Sequence, residues 1–297
     1  MSLVALVDYT SMLFSSVNPK SNGVKSEQYN ENLKAPQFDG GYNESMTIIS
    51  IEGNIAVGKT TVLDKIDAMM KGRLSTSPAG KDLLQTIREP VEEWMLPRVN
   101  YNGKSRLELV YEDPKNHTAA FQKGVLDDLP KAIRDGSDSA ISSIIITERS
   151  VGCSLHVFGA LHHEYGNITF KEYSDLFHYF YNGEAHKYMP NAVIYLRSTP
   201  ELCFERIKDR ARSGEEDITL KYLQDLNEAH EDWINCYANN DDIVDEISCK
   251  KVCRQKWVKP LILDVTSEEY NTPDKVALAV LQFASFCNNE VSSNSIC

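Results

Sequence analysis

The sequence predicts a layered α/β domain built on a parallel, five-stranded sheet flanked by helices, and three observations lead there. Short apolar runs alternate with stretches of helical period through the middle of the chain. The first of these runs opens directly into "IEGNIAVGKTT", the order strand, tight loop, helix. Charged or glycine-rich clusters then follow each of the first three apolar runs, and a fourth lies just beyond the helix after the next run. In a parallel sheet joined by right-handed crossovers, those are the positions where ligands bind.

The first strand is read at Thr47 to Ile51, and the loop behind it, Gly53 to Thr60, has the spacing G-x-x-x-x-G-K-T. Glycine at 53 and 58 lets the backbone curl so that successive N–H groups face an anion, and the helix beginning near Lys59 adds the positive end of its dipole. The run Gly53, Asn54, Ile55, Ala56, Val57, Gly58, Lys59, Thr60 and Thr61 is therefore the candidate phosphate site. Lys59 can reach the β- and γ-phosphates, and the Thr60 hydroxyl suits the magnesium that accompanies a triphosphate. The loop alone leaves kinase, ATPase and GTPase open.

Further strands are read at Leu84 to Arg88, Ile141 to Thr147, Ala192 to Leu196 and Leu261 to Val265, with helices at Thr60 to Met70, Thr118 to Ile133 and Leu220 to Tyr237. The second strand leads into "REPVEEW" and the third into "ERS"; a helix after the fourth leads into "RIKDRARSGEED". Arg206 and Arg210 stand four apart on one helical face, and Arg212 follows where that helix should fray. In "FKEYSDLFHYF", Tyr173, Leu176, Phe177 and Phe180 form an apolar stripe that reads as core.

With 297 residues and 42% hydrophobic content, the chain supports one sizeable core, expected over 46–287, between flexible tails at 1–45 and 288–297. A net charge of -12 argues against a nucleic-acid polymer as partner. Seven scattered cysteines read as reduced thiols of a cytoplasmic protein, Cys249 and Cys253 among them rather than as zinc ligands. The N-terminal "MSLVALVDYTSMLFSSV" is broken by Asp8, no basic residue precedes Lys20 and the first arginine is Arg73, so no secretory layout and no clear transit peptide is expected, with a mitochondrial location the alternative to the cytoplasmic one. No run approaches the roughly 18 apolar residues of a membrane span.

Taken together, "IEGNIAVGKTT", "EPVEEW" from Glu89 to Trp94, "YEDP" at Tyr111, "FQ" at Phe121 and Gln122, "ERS" from Glu148, the arginine-rich segment from Arg206, and "LDV" from Leu263 form a recognisable series. In order and approximate spacing it resembles the deoxyribonucleoside kinases, the group of deoxycytidine, deoxyguanosine and mitochondrial thymidine kinases and the insect multisubstrate enzyme. The resemblance covers about Met46 to Phe286. It implies a P-loop NTPase fold of the nucleoside and nucleotide kinase type with an arginine-rich lid, ATP as donor, Mg2+, a homodimer and a place in nucleotide salvage.

Carried over by position, the resemblance makes Glu89 the base for the 5′-hydroxyl and Arg149 its neighbour, with Lys59 on the phosphates and Thr60 and Glu148 near the metal. Arg206, Arg210 and Arg212 become the lid, and Asp264 and Val265 lie toward the donor nucleotide. Trp94, Phe121 and Phe158 would wall the nucleobase, Gln122 would read its edge, and Tyr111 and Glu215 would hold the 3′-hydroxyl. Taken singly, each has a plainer reading as surface charge or core aromatic. Gly214 departs from the family lid, which carries a glutamate there, and Gly152 and Cys153 also differ from common family residues.

Leu129 and Ser154 align where members preferring deoxycytidine or purines carry an Arg and an Asp. Their absence implies thymidine as best substrate, then deoxycytidine. A nucleoside monophosphate kinase resembling thymidylate kinase is the enzyme alternative, and a non-catalytic accessory protein of the same fold the other.

Overall fold

In the computed structural model the described residues are 47–74, 84–137, 144–212, 215–239, 244–245, 250–251 and 259–294. The expected N-terminal tail, Cys249, Cys253 and Gly214 lie outside them. Strand β1 (Thr47–Glu52) is buried at all six positions, as a strand covered on both faces must be. It is flanked by β3 (Ile144–Glu148) and β4 (Ala192–Arg197), with β2 (Leu84–Ile87) and β7 (Leu261–Asp264) at the edges, giving the parallel order β2-β3-β1-β4-β7. A short antiparallel pair, β5 (Val244–Asp245) and β6 (Lys250–Lys251), precedes the last strand. The chain crosses from β1 to β2 on one side and from β3 to β4 on the other, which makes the gap between β1 and β3, beside the loop after β1, a topological switch point.

The helices that carry or border the site are α1 (Lys59–Leu74), α2 (Arg106–Glu112), α3 (Pro114–Ser137), α4 (Val151–Glu164, with a π-helical segment at Ser154–Gly159), α5 (Phe170–Asn182), α6 (Pro200–Arg210), α7 (Leu220–Asn239) and α8 (Pro273–Asn294). A reciprocal cap between Ser105 and Glu108 starts α2 and so places Tyr111 one turn later. Strand alternation divides the core: Ile194 and Leu196 of β4 join Leu63 of α1 and Val280 of α8, while Val193 and Tyr195 join Leu126 of α3 and Trp233 of α7.

The expected strands recur with ends shifted by a residue or more; the third begins at Ile144, and 141–143 lie outside the described residues. Helix α8 continues to Asn294, past the boundary at 287 set from composition. Once nucleated on the buried Val276 and Val280, a helix elongates into a polar run because each added residue gains a backbone bond. The stripe on α5 is used inside the chain's own core: Leu176, Phe177 and Phe180 are buried in the second core group. Cys153 and Cys203 are buried free thiols. Among the described residues no helix is long and apolar enough to cross a membrane.

Candidate active site

The loop after β1 is built by backbone geometry. Gly53 has φ 139°, and a Cβ there would stand 2.6 Å from the Leu196 carbonyl oxygen, so only glycine fits. Gly58 (φ 115°) and Ala56 (φ 60°) complete the curl. Asn54 anchors it, donating from Nδ2 to the Leu223 carbonyl at 2.9 Å while its Oδ1 accepts from Ile55 N–H at 2.8 Å. Val57 is buried in the first core group, and Thr61 is exposed at the start of α1.

Lys59 is buried beneath this loop, and its Nζ donates to the carbonyls of Gly53 at 3.0 Å and Asn54 at 2.9 Å. Burial first, and the Arg149 cation second, bring its ammonium down to about 8. The Thr60 hydroxyl donates to Glu148 Oε1 at 2.7 Å, setting two hard oxygen ligands side by side beside the loop. Among the described residues no group of three or more His, Cys, Asp or Glu is gathered to hold a metal. This donor set suits a cation that takes few protein ligands and completes its shell from phosphate and water, as Mg2+ does.

Glu89 and Arg149 meet because of strand register. Parallel pairing sets Ile87 of β2 opposite Thr147 of β3, and each charged residue lies two positions further on. Arg149 leaves its strand with φ 65°, its N–H donating to the Ile51 carbonyl at 3.0 Å. Its Nε then donates to Glu89 Oε1 at 3.0 Å. The guanidinium also lies 4.4 Å over the ring of Phe158, so that aromatic supports the arginine as well as standing near the expected nucleobase wall. Burial raises the Glu89 carboxyl above its usual range, with Arg149 pulling against it.

Trp94 meets Phe121 edge-on at 5.4 Å. Its Nε1 donates to Asp128 Oδ2 at 2.8 Å, and Arg106 pairs with the same oxygen while its guanidinium stands 6.0 Å over Phe121. Gly124 leaves the room Arg106 occupies, since a Cβ there would be 2.5 Å from its Nη1. Gln122 and Ser154 are both buried, and the Ser154 hydroxyl donates to Gln122 Oε1 at 2.7 Å. Leu129 is buried with Trp94 in the second core group. A Cβ on Gly152 would approach Met189 Sδ to 2.9 Å, so the departure at this position is matched by close packing.

Helix α6 ends at Arg210, where Ala211 turns left-handed (φ 46°) and takes Arg212 off the helical face. Arg206 Nη1 donates to the Val57 carbonyl at 2.7 Å, beneath the phosphate loop. Arg210 donates from Nη2 to both oxygens of the buried Glu215 at 2.8 and 2.7 Å, and Arg212 lies 3.5 Å from one of them. The Tyr111 hydroxyl is raised by burial and, further down, by the charge of Glu215. Asp264 and Val265 sit at the end of edge strand β7, where Asp264 Oδ1 accepts from Thr266 N–H at 2.9 Å and Val265 N–H donates to the Arg197 carbonyl at 3.0 Å. Val265 also packs against the first core group, to which Val57 of the loop and Leu63 of α1 belong.

The sequence reading passes over Asp128, Arg106, Glu52 and His230. Glu52 alone carried a signal, as a carboxylate ending an otherwise apolar strand directly before Gly53.

A strand–glycine loop–helix unit, a carboxylate–arginine pair beyond two paired strands and a basic segment beyond the fourth strand together have the layout of a P-loop phosphotransferase. A model of the family described as deoxynucleoside kinase matches residues 49–276. The chain is 31% identical over 219 residues to the thymidine kinase of Ictalurid herpesvirus 1, covering 69% of this chain and 86% of that one. It is 29% identical over 218 residues to deoxycytidine kinase 2 of Gallus gallus (67% and 78% covered). It is 30% identical over 204 residues to the mitochondrial deoxyguanosine kinase of Xenopus laevis (65% and 75%). The chain belongs to the deoxynucleoside kinase family and is a nucleoside-phosphorylating enzyme.

Proposed function

We propose that this enzyme transfers the γ-phosphoryl group of ATP to the 5′-hydroxyl of a deoxyribonucleoside, with pyrimidines preferred, thymidine first and deoxycytidine second. The observation that carries the reaction is the buried Glu89–Arg149 pair two residues beyond paired strands, with Lys59 close enough to bear on Glu89. Glu89 takes the proton of the 5′-hydroxyl as that oxygen bonds to the γ-phosphorus and the bond to the β-bridging oxygen breaks, releasing ADP. Arg149 steadies the carboxylate and the reacting oxygen. Lys59 and the N–H groups of the curled loop, Gly53 to Thr61, hold the phosphates.

Thr60 and Glu148 would hold a Mg2+, whose chemistry is to draw charge from the phosphate oxygens. Arg206, Arg210 and Arg212 would close over the transferring group, Arg210 and Arg212 by exchanging Glu215 for phosphate. Asp264 and Val265 would border the donor's base. Trp94, Phe121 and Phe158 would flank the nucleobase and Gln122 read its edge, while Tyr111 and Glu215 would take the 3′-hydroxyl. The uncharged Leu129 and Ser154 leave the far wall smaller and less polar, which favours the thymine methyl. A homodimer is part of the reading, carried by the family likeness.

The test is kcat/KM for thymidine, deoxycytidine and deoxyguanosine, with thymidylate as acceptor control. Thymidine first is the expected order; deoxyguanosine first would overturn the base preference, and thymidylate first the nucleoside reading itself.

A further inference from the structure

One buried group has no part in the reaction as described. Glu52 closes β1 directly before Gly53, is 0% exposed, and neither of its carboxylate oxygens has a hydrogen-bond partner among the described residues. A carboxylate buried in this way is costly unless a cation stands near it. Arg149 is that cation: β1 and β3 pair with Ile51 opposite Glu148, the Arg149 N–H donates to the Ile51 carbonyl at 3.0 Å, and the two charged residues are therefore next to each other across the strand ends, where the Glu52 charge acts on the guanidinium.

Cys153 joins the same group from α4. Arg149 Nη1 donates to its Sγ at 3.5 Å, and the sulfur stands 3.5 Å from Nε2 of the fully buried His230 on α7. His230 Nδ1 lies 2.7 Å from the Leu226 carbonyl, an oxygen that only accepts, so the ring proton is on Nδ1 and Nε2 is left as acceptor. Burial, with the Arg149 and Lys59 cations adding to it, brings the imidazole down to about 3, and burial with the Glu52 charge keeps the thiol protonated. Arg149 thus donates to Cys153, the thiol faces two acceptors, His230 Nε2 and the Glu52 carboxylate, and His230 donates to the backbone of its own helix. Tyr195 stacks on the imidazole at 6.2 Å and Phe158 meets it edge-on at 6.0 Å, which fixes the ring.

We infer that Glu52, Cys153 and His230 are positioning residues for phosphoryl transfer, holding the Arg149 guanidinium with Nε toward Glu89, Glu52 by charge and Cys153 and His230 by hydrogen bonding that runs through the thiol into α7. The inference rests on the proposed roles of Glu89 and Arg149. A guanidinium held at Nε alone can swing about that bond. Held also at Nη1, its plane is set, and displacement of a catalytic contact by about 1 Å costs on the order of a hundredfold in rate.

Steady-state kinetics on Glu52→Gln, Cys153→Ala, Cys153→Ser and His230→Phe, with thymidine and ATP, test it. Expected for Glu52→Gln, Cys153→Ala and His230→Phe is a kcat lower by roughly ten- to a hundredfold with KM for ATP within about twofold of wild type. Cys153→Ser, which restores an acceptor and a donor, should recover most of the loss. Thermal melting with and without ATP shows which variants fold; if Glu52→Gln does not, the serine and alanine variants, which differ by one oxygen, decide the matter. Wild-type kcat in Cys153→Ala, or equal losses in the serine and alanine variants, would overturn the network. Glu89→Gln in the same assay separates the two levels: if it keeps the wild-type rate, the proposed base has failed, and if it loses activity while Cys153→Ala does not, only the network has.

Discussion

Arg149 Nε donates to Glu89 Oε1 at 3.0 Å although 60 residues of chain separate them. The relationship depends on the register of β2 and β3, which brings the two strand ends level, and on the left-handed turn at Arg149 that follows. It also keeps two opposite charges together in a buried place, where either alone would be costly.

Glu89→Gln is therefore expected to lower kcat by about 10²- to 10⁴-fold, the usual worth of a general base, with the protein folded. Lys59→Ala should lower it as far for a different reason, through lost phosphate contact and a loosened loop, and should also weaken ATP binding. Circular dichroism and initial rates check both. A Glu89→Gln enzyme retaining most of its rate would remove Glu89 from the chemistry.

The pH profile follows from the same pair. Glu89 accepts a proton only when ionised, and burial, followed at a distance by the Glu148 charge, raises its carboxyl against the pull of Arg149. Activity should therefore fall as pH drops, with the acid limb of kcat/KM centred above the roughly 4.3 of a free glutamate. Arg149→Gln should move that limb to still higher pH. At the other end, Lys59 in the free protein loses its proton as pH rises through about 8, and triphosphate would favour the charged form. Binding of ATP above that pH should then take up a proton, seen by calorimetry in buffers of different ionisation enthalpy; proton release would contradict this.

Much of this was legible beforehand where chemistry follows the chain locally. The phosphate loop is contiguous, and the strands could be read from their apolar runs, with β1 buried throughout. What stayed hidden were partnerships made by packing. Cys153 meets His230 across 77 residues only because α4 and α7 cross, and Trp94 meets Asp128 across 34. The arginines from Arg206 onward were visible as charges, yet Glu215 as the shared partner of Arg210 and Arg212 depends on a left-handed Ala211 that no propensity favours.

Tyr111→Ala should relax the selection against ribonucleosides, because a half-buried ring and its hydroxyl are lost together beside Glu215. The ratio of kcat/KM for deoxycytidine to that for cytidine should drop by about tenfold or more. If the ratio holds, Tyr111 does not touch the sugar.

Asp128→Ala removes at once the acceptor of Trp94 and the counter-ion of Arg106. Loss of hydrogen bonds to a mostly buried charge costs about 1.5–3 kcal/mol, so the melting temperature should fall visibly. The freed Trp94 should raise KM for the nucleoside several-fold and leave KM for ATP unchanged. Equal changes in both constants would point to general loosening rather than to the nucleobase wall.

Base choice turns on Ser154 and Gln122. The serine hydroxyl donates to Gln122 Oε1 at 2.7 Å, and a hydroxyl can rotate to accept as well. Thymine presents a donor at N3 and an acceptor at O4, whereas cytosine presents an acceptor at N3 and a donor at N4, so reading both requires the amide to turn over. Serine supports either orientation; alanine supports neither; aspartate, an acceptor only, supports the one that brings Nε2 toward it. Ser154→Ala should accordingly raise KM for thymidine and deoxycytidine alike, by about fivefold for one net hydrogen bond of roughly 1 kcal/mol, with their ratio unchanged. Ser154→Asp should change the thymidine to deoxycytidine ratio of kcat/KM by at least about tenfold, because one amide orientation is then lost to the site. Measured ratios that stay level in the aspartate variant would show that Gln122 is oriented by something other than Ser154.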